Sequence, residues 1–139
     1  MRRVVLFSIA VWIASATGGR AQAAAPSCHG NQQSRKVAEL LFGRDIGRHL
    51  GVGNSGWMHF VARELTPRFP DGLTVSDVLG QWRDRQSGRI VREPSKRVEI
   101  VLPGNADDDD KLDAVVAAYK RAFHQQSVGV IVRDACVAF

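Results

Sequence analysis

The sequence has few residues of the kinds that build metal sites and catalytic triads. It contains two cysteines and four histidines in 139 residues. The His-x-x-x-His and Glu-x-x-His spacings, the Gly-x-Ser-x-Gly motif and a lysine-containing phosphate loop are all missing. These absences exclude the usual sequence signatures of zinc proteases, serine hydrolases and P-loop enzymes. We therefore expect neither a metal nor a cofactor.

Basic residues are not gathered into one run either. The formal net charge is +5, from 19 lysines and arginines against 14 acidic residues. Three of the arginines, Arg2, Arg3 and Arg20, stand in the amino-terminal segment. A nucleic-acid surface needs a concentrated basic face to neutralise phosphates, so we expect no nucleic-acid partner.

Long hydrophobic runs are lacking as well. The longest, residues 4–16, has 13 residues, whereas a membrane-spanning helix needs about 20. Arginines precede this run and a small-residue stretch at 21–25 follows it, an order typical of a secretory signal peptide. For residues 1–23 we predict such a peptide, cleaved after Ala23, with Ala25 as the alternative. The mature chain is then periplasmic or secreted, without a stable membrane anchor.

Both cysteines, Cys28 and Cys136, remain in the mature chain. Exported compartments oxidise thiols, so a structural disulfide is predicted. A metal-binding pair and a redox-active thiol are the alternatives. Neither has supporting neighbours, and the spacing is unlike Cys-x-x-Cys.

Hydrophobic periodicity predicts four strands and two helices after a small, polar arm at 24–34. Ala38, Leu40 and Phe42 alternate along the first strand, and apolar residues recur at helical spacing from Leu112 to Phe123. In chain order the predicted elements are a strand at 35–44, a helix at 57–66, strands at 73–84 and 89–102, a helix at 105–124 and a strand at 128–132.

This order of elements predicts an α+β fold. With right-handed crossovers, the simplest arrangement is a ferredoxin-like βαββαβ sandwich, a four-stranded antiparallel sheet in the order 4-1-3-2 with two helices on one face. We expect residues 35–139 to form this single domain. The start of the first strand then lies beside the end of the last, which brings Cys28 towards Cys136.

Local patterns carry further expectations. Asn54 or Ser55 is expected to cap the first helix, and Pro94 to lie near an edge or bulge. Residues 128–132 form a continuous β-branched and glycine run, typical of an inner strand. The aspartates at 107–110 are expected to stabilise the start of the second helix, because consecutive helical positions diverge too much to share a calcium ion.

Strand alternation also assigns polar residues to the sheet face away from the helices. These residues are Glu39, Arg83, Glu99 and Arg133. Cross-strand ion pairs are the simplest interpretation. A polar platform that contacts a protein partner, or that forms a homodimer through this open face, is the alternative.

Several motifs resemble the exported bacterial family known as domain of unknown function 3574. The resemblance spans residues 38–139 and is carried by TPRFPDGLTV at 66–75, GQWR at 80–83, WMHF at 57–60, REPSK at 92–96 and YKRAFHQQSV at 119–128. It implies export and one compact domain. It implies no activity, because the family has none assigned.

The same motifs contain residues that are more polar than a turn and a hairpin require. Arginine beside tryptophan suits an anionic or aromatic ligand. Turn geometry, with Phe69 in the core beneath it, is the structural alternative. The predicted ligand-binding residues are Trp57, Arg68, Trp82, Arg83, Glu93, Lys96 and Tyr119.

These observations favour a non-enzymatic binding or interaction module, whose small-molecule or protein partner is unknown. The alternative is a small cofactor-free enzyme, oxygenase-like or isomerase-like by fold analogy. It would act on an anionic or aromatic small molecule, with Arg68, Arg83 and Glu93 holding the substrate or moving a proton. A structural role in the cell envelope is a third interpretation.

Overall fold

The computed structural model describes residues 27–139 apart from residues 48 and 86. The predicted signal peptide and its cleavage after Ala23 lie outside the described residues. The elements, in chain order, are β1 (Gln33–Gly43), β2 (Asp45–Ile46), β3 (His49–Leu50), α1 (Asn54–Phe60) continuing as a π-helix (Val61–Leu65), β4 (Thr74–Arg83), β5 (Ile90–Val101), α2 (Asp108–Phe123) and β6 (Gly129–Val137). Among the described helices, none is long and apolar enough to cross a membrane.

The four long strands form one sheet in the order β4-β5-β1-β6. Every neighbouring pair is antiparallel. This is the predicted ferredoxin-like order 4-1-3-2, read from the opposite edge, so the fold prediction is confirmed. The short strands β2 and β3 add a small hairpin beyond the end of β1.

The core lies between the sheet and the two helices. Ala38, Leu40 and Phe42 are buried at alternate positions of β1, as a strand with one covered face requires. Aromatic side chains from α1 and α2 pack on them, and Phe42 lies 4.7 Å from Tyr119 between ring centroids. We call this side of the sheet the helix face and the other side the open face.

The predicted disulfide is present. Cys28 and Cys136 are bonded, with their Cα atoms 5.4 Å apart. Cys136 lies opposite Ser34 in the β1–β6 ladder. The bond therefore fastens the segment before β1 to the far end of the last strand, as the topology requires.

The first helix begins differently from the prediction. Gly53 is its N-cap, and no side chain caps it. The Asn54 side chain instead accepts a hydrogen bond from Arg44 Nη2 at 2.9 Å. The predicted Asn54 or Ser55 cap is therefore wrong, because a buried arginine competes for the amide oxygen of Asn54.

The second helix is preceded by a loop that one aspartate holds in place. Asp108 is buried, and its Oδ2 accepts N–H groups from Gly104 at 2.8 Å and Asn105 at 2.9 Å. Asp107 pairs with Lys111 at 3.0 Å. Over the described residues, no group of three acidic, histidine or cysteine side chains is placed to hold a metal ion.

The last strand is longer than predicted and lies at the edge of the sheet. β6 pairs with β1 through residues Gln33 to Leu41, and it ends the strand order. The expectation of an inner strand is therefore wrong. A β-branched run indicates an extended backbone, but it carries no information on how many neighbours that strand has.

Candidate functional site

A polar network surrounds the point where β1 leaves the sheet. The last β1–β5 pair joins Gly43 to Ser95, and the Arg44 N–H then donates to the Pro94 carbonyl at 3.0 Å. Beyond this point β5 pairs with β4 alone. Pro94, which has no N–H, lies at this transition, where β5 acquires a free edge. We call the groups collected here the β1-end network.

Arg44 is the buried centre of the network on the helix face. Its Nε donates to the Val52 carbonyl at 2.7 Å, and its Nη2 donates to Asn54 Oδ1. Its Nη1 lies 3.9 Å from Asp77 Oδ1. Because its Nε and Nη2 donors meet two acceptors from the protein, the guanidinium is held in one orientation.

Lys96 is a second buried cation beside it. Lys96 lies opposite both Phe42 and Asp77 in the sheet, so its side chain shares the helix face with the core. Its Nζ pairs with Asp77 Oδ1 at 2.5 Å. The side chain of Lys96 is only 11% exposed, whereas that of Asp77 is 75% exposed. Two buried cations therefore share one carboxylate, and that carboxylate lies in solvent.

The hydrogen bond from Lys96 lowers the pKa of Asp77. Desolvation opposes this shift, while the charges of Lys96 and Arg44 add to it. Asp77 is therefore ionised at neutral pH. The group Arg44, Lys96 and Asp77 carries an excess of positive charge at the protein surface.

On the open face the network is built around Glu93. Glu93 Oε1 accepts the indole N–H of Trp82 at 3.1 Å, and Oε2 accepts the Asp45 N–H at 3.3 Å. A Cβ at Gly43 would lie only 2.7 Å from Glu93 Oε1. Glycine at this position therefore leaves the space that the carboxylate occupies, and the indole of Trp82 is held with its ring half exposed.

Tyr119 connects α2 to the same point. Its hydroxyl donates to the Gly43 carbonyl at 2.8 Å. Burial raises the pKa of Tyr119. The charge of Arg44 opposes this rise, and the charge of Glu93 adds to it. The phenol therefore stays protonated near neutral pH and acts as a fixed donor. Gln125 adds a second link, since its Nε2 donates to the Asp45 carbonyl at 2.7 Å.

The structure brings together four of the seven predicted ligand-binding residues. Trp82, Glu93, Lys96 and Tyr119 all belong to the β1-end network. The sheet separates them, with Lys96 on the helix face and the Trp82–Glu93 pair on the open face.

The other three predicted residues lie elsewhere. Trp57 is in the core, with its ring centroid 5.3 Å from that of Phe42. Arg68 donates to the carbonyl and carboxylate of Glu64 and so closes the end of the helical segment. Arg83 is exposed, and strand alternation places it on the helix face with Asp77.

Arg44 and Asp77 were not predicted, although the sequence contains a signal for Asp77. Lys96 alternates with Val98 and Ile100, which places a lysine on a buried face. Asp77 alternates with Val75 on the strand paired with it. A charged residue in core-facing register requires a partner of opposite sign. Arg44 lies just past the strand, where alternation predicts nothing.

A cleft of about 500 Å³ opens beside the free end of β5. It is lined by Asp45, Gly47, Ser87 and the segment from Arg89 to Arg92. Within the described part of the chain, the side chains of Arg89 and Arg92 form no ion pair. The cleft therefore adds positive charge next to the β1-end network.

Elsewhere on the open face, charge is compensated internally. Arg133 lies 3.6 Å from Glu39 and 3.1 Å from Glu99, so one cation is shared by two carboxylates that are directly opposite in the sheet. Arg83 is absent from this group. A basin of about 880 Å³ adjoins it, with Val37, Val101 and Ala135 in its lining.

Solved structures share this fold at low sequence identity. A phage SAM lyase in complex with S-methyl-5'-thioadenosine matches with a TM-score of 0.59 and 18% identity, covering 82% of this chain and 95% of that one. A phage SAM lyase in the apo state matches with a TM-score of 0.56 and 17% identity, covering 80% of this chain and 87% of that one. CutA from Synechococcus elongatus PCC7942 matches with a TM-score of 0.48 and 9% identity, covering 74% of this chain and 78% of that one.

The likeness to the phage SAM lyase structures establishes the fold and nothing finer. No curated protein sequence matches the chain. A family model does match, and it spans residues 37–139. This range includes every member of the β1-end network and all four long strands, apart from the first residues of β1. The chain belongs to the family described as protein of unknown function, DUF3574.

Proposed function

We propose that the protein is an exported, non-enzymatic binding module that holds an anionic small molecule at Arg44 and Lys96. The observation that carries this proposal is the charge imbalance on the helix face. Two cations with almost no exposed surface share a single carboxylate, and that carboxylate belongs to the exposed Asp77. Buried charges are normally matched by partners of opposite sign, so a second anion is the missing component.

Lys96 has the donors that such a ligand needs. An ammonium group carries three N–H donors, and in the described contacts Lys96 uses one of them, on Asp77. A ligand carboxylate or phosphate placed beside Asp77 would accept from the others. Asp77 then competes with the ligand for the same cations, which sets the affinity below the maximum that the site allows.

The neighbouring surface favours an anion that also has an apolar part. Val75 and Leu79 share the helix face of β4 with Asp77. Leu79 is 71% exposed, which is unusual for a leucine within a strand. A fatty or aromatic carboxylate would cover this side chain while its charged end meets Lys96.

Two further observations support binding rather than catalysis. The pKa shifts of Asp77 and Tyr119 move both groups away from neutral pH, so neither is poised to transfer a proton to a substrate. Arg44 is held by the Val52 carbonyl and by Asn54 Oδ1, so it is oriented rather than mobile. Fixed charges of this kind position a ligand.

The test is a titration with two probes, octanoate and inorganic phosphate, followed by calorimetry and melting temperature. We expect octanoate to bind more tightly, because only octanoate covers Leu79. Lys96→Met should weaken binding by roughly ten- to hundredfold, the range for a hydrogen bond to a charged group. Asp77→Asn should strengthen it, because the internal competitor is removed.

Lys120→Met is the matched control, since Lys120 is an exposed lysine on α2. It should leave both affinities unchanged. Equal binding by wild type and Lys96→Met, or weaker binding by Asp77→Asn, would refute an anion site at this cluster. The same holds if neither probe binds the wild-type chain.

A second candidate function is an enzyme acting on an aromatic small molecule. One observation favours it: the Trp82 ring is 44% exposed and is fixed by Glu93, so it offers a stacking surface. The phage enzyme of similar fold holds S-methyl-5'-thioadenosine, which contains an aromatic base. We expect this nucleoside to quench Trp82 fluorescence if the function is shared, with Trp82→Phe as the control. Unchanged fluorescence removes this candidate.

Export is part of the proposal and has its own test. The bond between Cys28 and Cys136 is of the kind that persists in oxidising compartments. Mass spectrometry of the chain recovered outside the cytoplasm should show a new amino terminus after Ala23. An intact chain beginning at Met1 in the cytoplasmic fraction would contradict export.

A further inference from the structure

One edge of the sheet has an unpaired backbone beside an apolar surface. β6 pairs with β1 along its length. In the part of the chain that the structure describes, no strand lies on its other side. Its outward N–H and C=O groups form a row that another strand can pair with.

The side chains at the start of β6 are apolar on both faces. Val130, Ile131 and Val132 are consecutive, and each is between 42% and 46% exposed. Alternation places Val130 and Val132 on the helix face and Ile131 on the open face. A strand lying alongside would therefore cover all three at once, whereas a partner on one face would cover only part of the set.

The opposite edge of the sheet is protected in the usual way. β4 carries the exposed carboxylate of Asp77 in its middle, followed by Gly80 and Arg83. Charges and glycines on an edge strand discourage pairing with another sheet. β6 has no charged residue before Arg133. The two edges are thus unlike, and of the two only β6 has three consecutive exposed apolar residues beside its free backbone.

We infer that a second copy of the chain pairs with β6, antiparallel, about a two-fold axis at Ile131. In that register Ile131 lies opposite itself, and Val130 lies opposite Val132. Both apolar faces are then continuous across the junction, because a two-fold axis through the sheet keeps each residue on its own face. Gly129 then lies opposite Arg133. The two sheets join into one.

The open face is a poorer surface for a second copy. Its central arginine, Arg133, is already bound by Glu39 and Glu99. Covering that group would remove three partly hydrated charges from water with no new partner, which costs more than the pairing returns. Pairing along β6 leaves the group in solvent.

The test is sedimentation velocity over a range of concentrations on the disulfide-bonded chain. We expect a reversible dimer. Val132→Lys should raise the dimer dissociation constant at least about tenfold, because it places an ammonium group in a covered apolar strip. Val78→Lys, on the open face of β4 and far from β6, should leave the dissociation constant unchanged. Mixing Val132→Lys with Val130→Glu chains should restore a heterodimer, since the two new charges lie opposite each other.

A chain that stays monomeric at every concentration would overturn the inference. So would a dimer that tolerates Val132→Lys, or one that Val78→Lys alone dissociates, since that result assigns the contact to the open face. If Val132→Lys does not fold, hydrogen exchange on the wild type decides. The amides of residues 129–133 must become more protected as concentration rises, and constant protection rejects the pairing.

Discussion

The two ends of β1 are held in different ways. At its start, β1 lies beside a covalent bond, because Cys28 is joined to Cys136 opposite Ser34. At its end, β1 is held by the β1-end network, in which Tyr119, Glu93 and Arg44 each contribute hydrogen bonds. The bond at the covalent end carries no charge, whereas at the network end two buried cations, Arg44 and Lys96, share the carboxylate of Asp77.

The covalent end therefore bears mainly on the stability of the fold, and the network end contains the groups of the proposed ligand site. A disulfide stabilises the fold mainly by restricting the unfolded chain, and its effect does not depend on pH below the range where thiols ionise. The network end depends on protonation and on the solvation of each group. We therefore expect changes at the covalent end to alter stability most, and changes at the network end to alter ligand binding and pH dependence.

The largest effect is expected from removing the disulfide. The double substitution Cys28→Ser, Cys136→Ser releases a loop with a sequence separation of 108 residues. The chain-entropy estimate for such a loop is about 4–5 kcal/mol, as an upper value. Urea denaturation of this variant measures the loss, and wild type with the bond reduced is the control. A loss below about 1 kcal/mol in both would show that β1 is held mainly at its other end.

Tyr119→Phe should cost roughly 1–3 kcal/mol, because it leaves the partly buried Gly43 carbonyl without its donor. The wild-type phenol offers a direct second measurement, since Tyr119 is the single tyrosine of the sequence. Burial raises its pKa, so the native state retains a proton that the unfolded state loses above about pH 10. Stability should therefore fall as pH rises beyond that point.

Ultraviolet absorbance of the phenolate tests this expectation without a mutation. The folded protein should show no phenolate signal at a pH where the urea-unfolded chain is fully ionised. A native titration that matches the unfolded one would place the Tyr119 hydroxyl in solvent and contradict its bond to Gly43.

Gly43→Ala should have a smaller effect, about 1–2 kcal/mol. The new Cβ would meet Glu93 Oε1 at 2.7 Å, and moving the carboxylate breaks its bonds to Trp82 and Asp45. A double-mutant cycle with Glu93→Ala isolates this contact. The substitution should cost little in the Glu93→Ala background, and an equal cost in both backgrounds would exclude the proposed clash.

Asp77→Asn should have the smallest effect, visible only in acid. The bond from Lys96 lowers the pKa of Asp77 in the folded state. The resulting stabilisation is complete above the unfolded value of about 4 and is lost as pH falls through the folded value. Urea denaturation at pH values from neutral to acid should therefore show that the free energy of unfolding changes less with pH for Asp77→Asn than for wild type. If the free energy of unfolding changes with pH equally in both proteins, Lys96 stabilises the protonated and the ionised form of Asp77 to the same extent.

Much of the fold was predictable because its signals are periodic and local. The alternation of Ala38, Leu40 and Phe42 predicted the buried face of β1, and the order of elements predicted a topology that pairs Cys28 with Cys136. The predicted strand order placed the last strand at the edge of the sheet, as the structure does. The interpretation of residues 128–132 as an inner strand was wrong, since β-branched composition is shared by inner and edge strands.

The candidate site was predictable only in part. Trp82, Glu93 and Lys96 stood out as polar or aromatic residues within a hairpin, and they do belong to one network. Arg44 lies in an irregular segment just past β1, where no periodicity applies. Its partners Val52 and Asn54 are brought to it by the short hairpin and by α1, which depend on tertiary contacts.

The bond near the two chain ends also changes what a protease can achieve. Every peptide link between Cys28 and Cys136 belongs to a closed ring. A single cut anywhere in that ring opens it but releases no fragment, because the disulfide still joins the two pieces. They can therefore return to their native positions. Such a ring therefore survives one cleavage as a single covalently linked molecule.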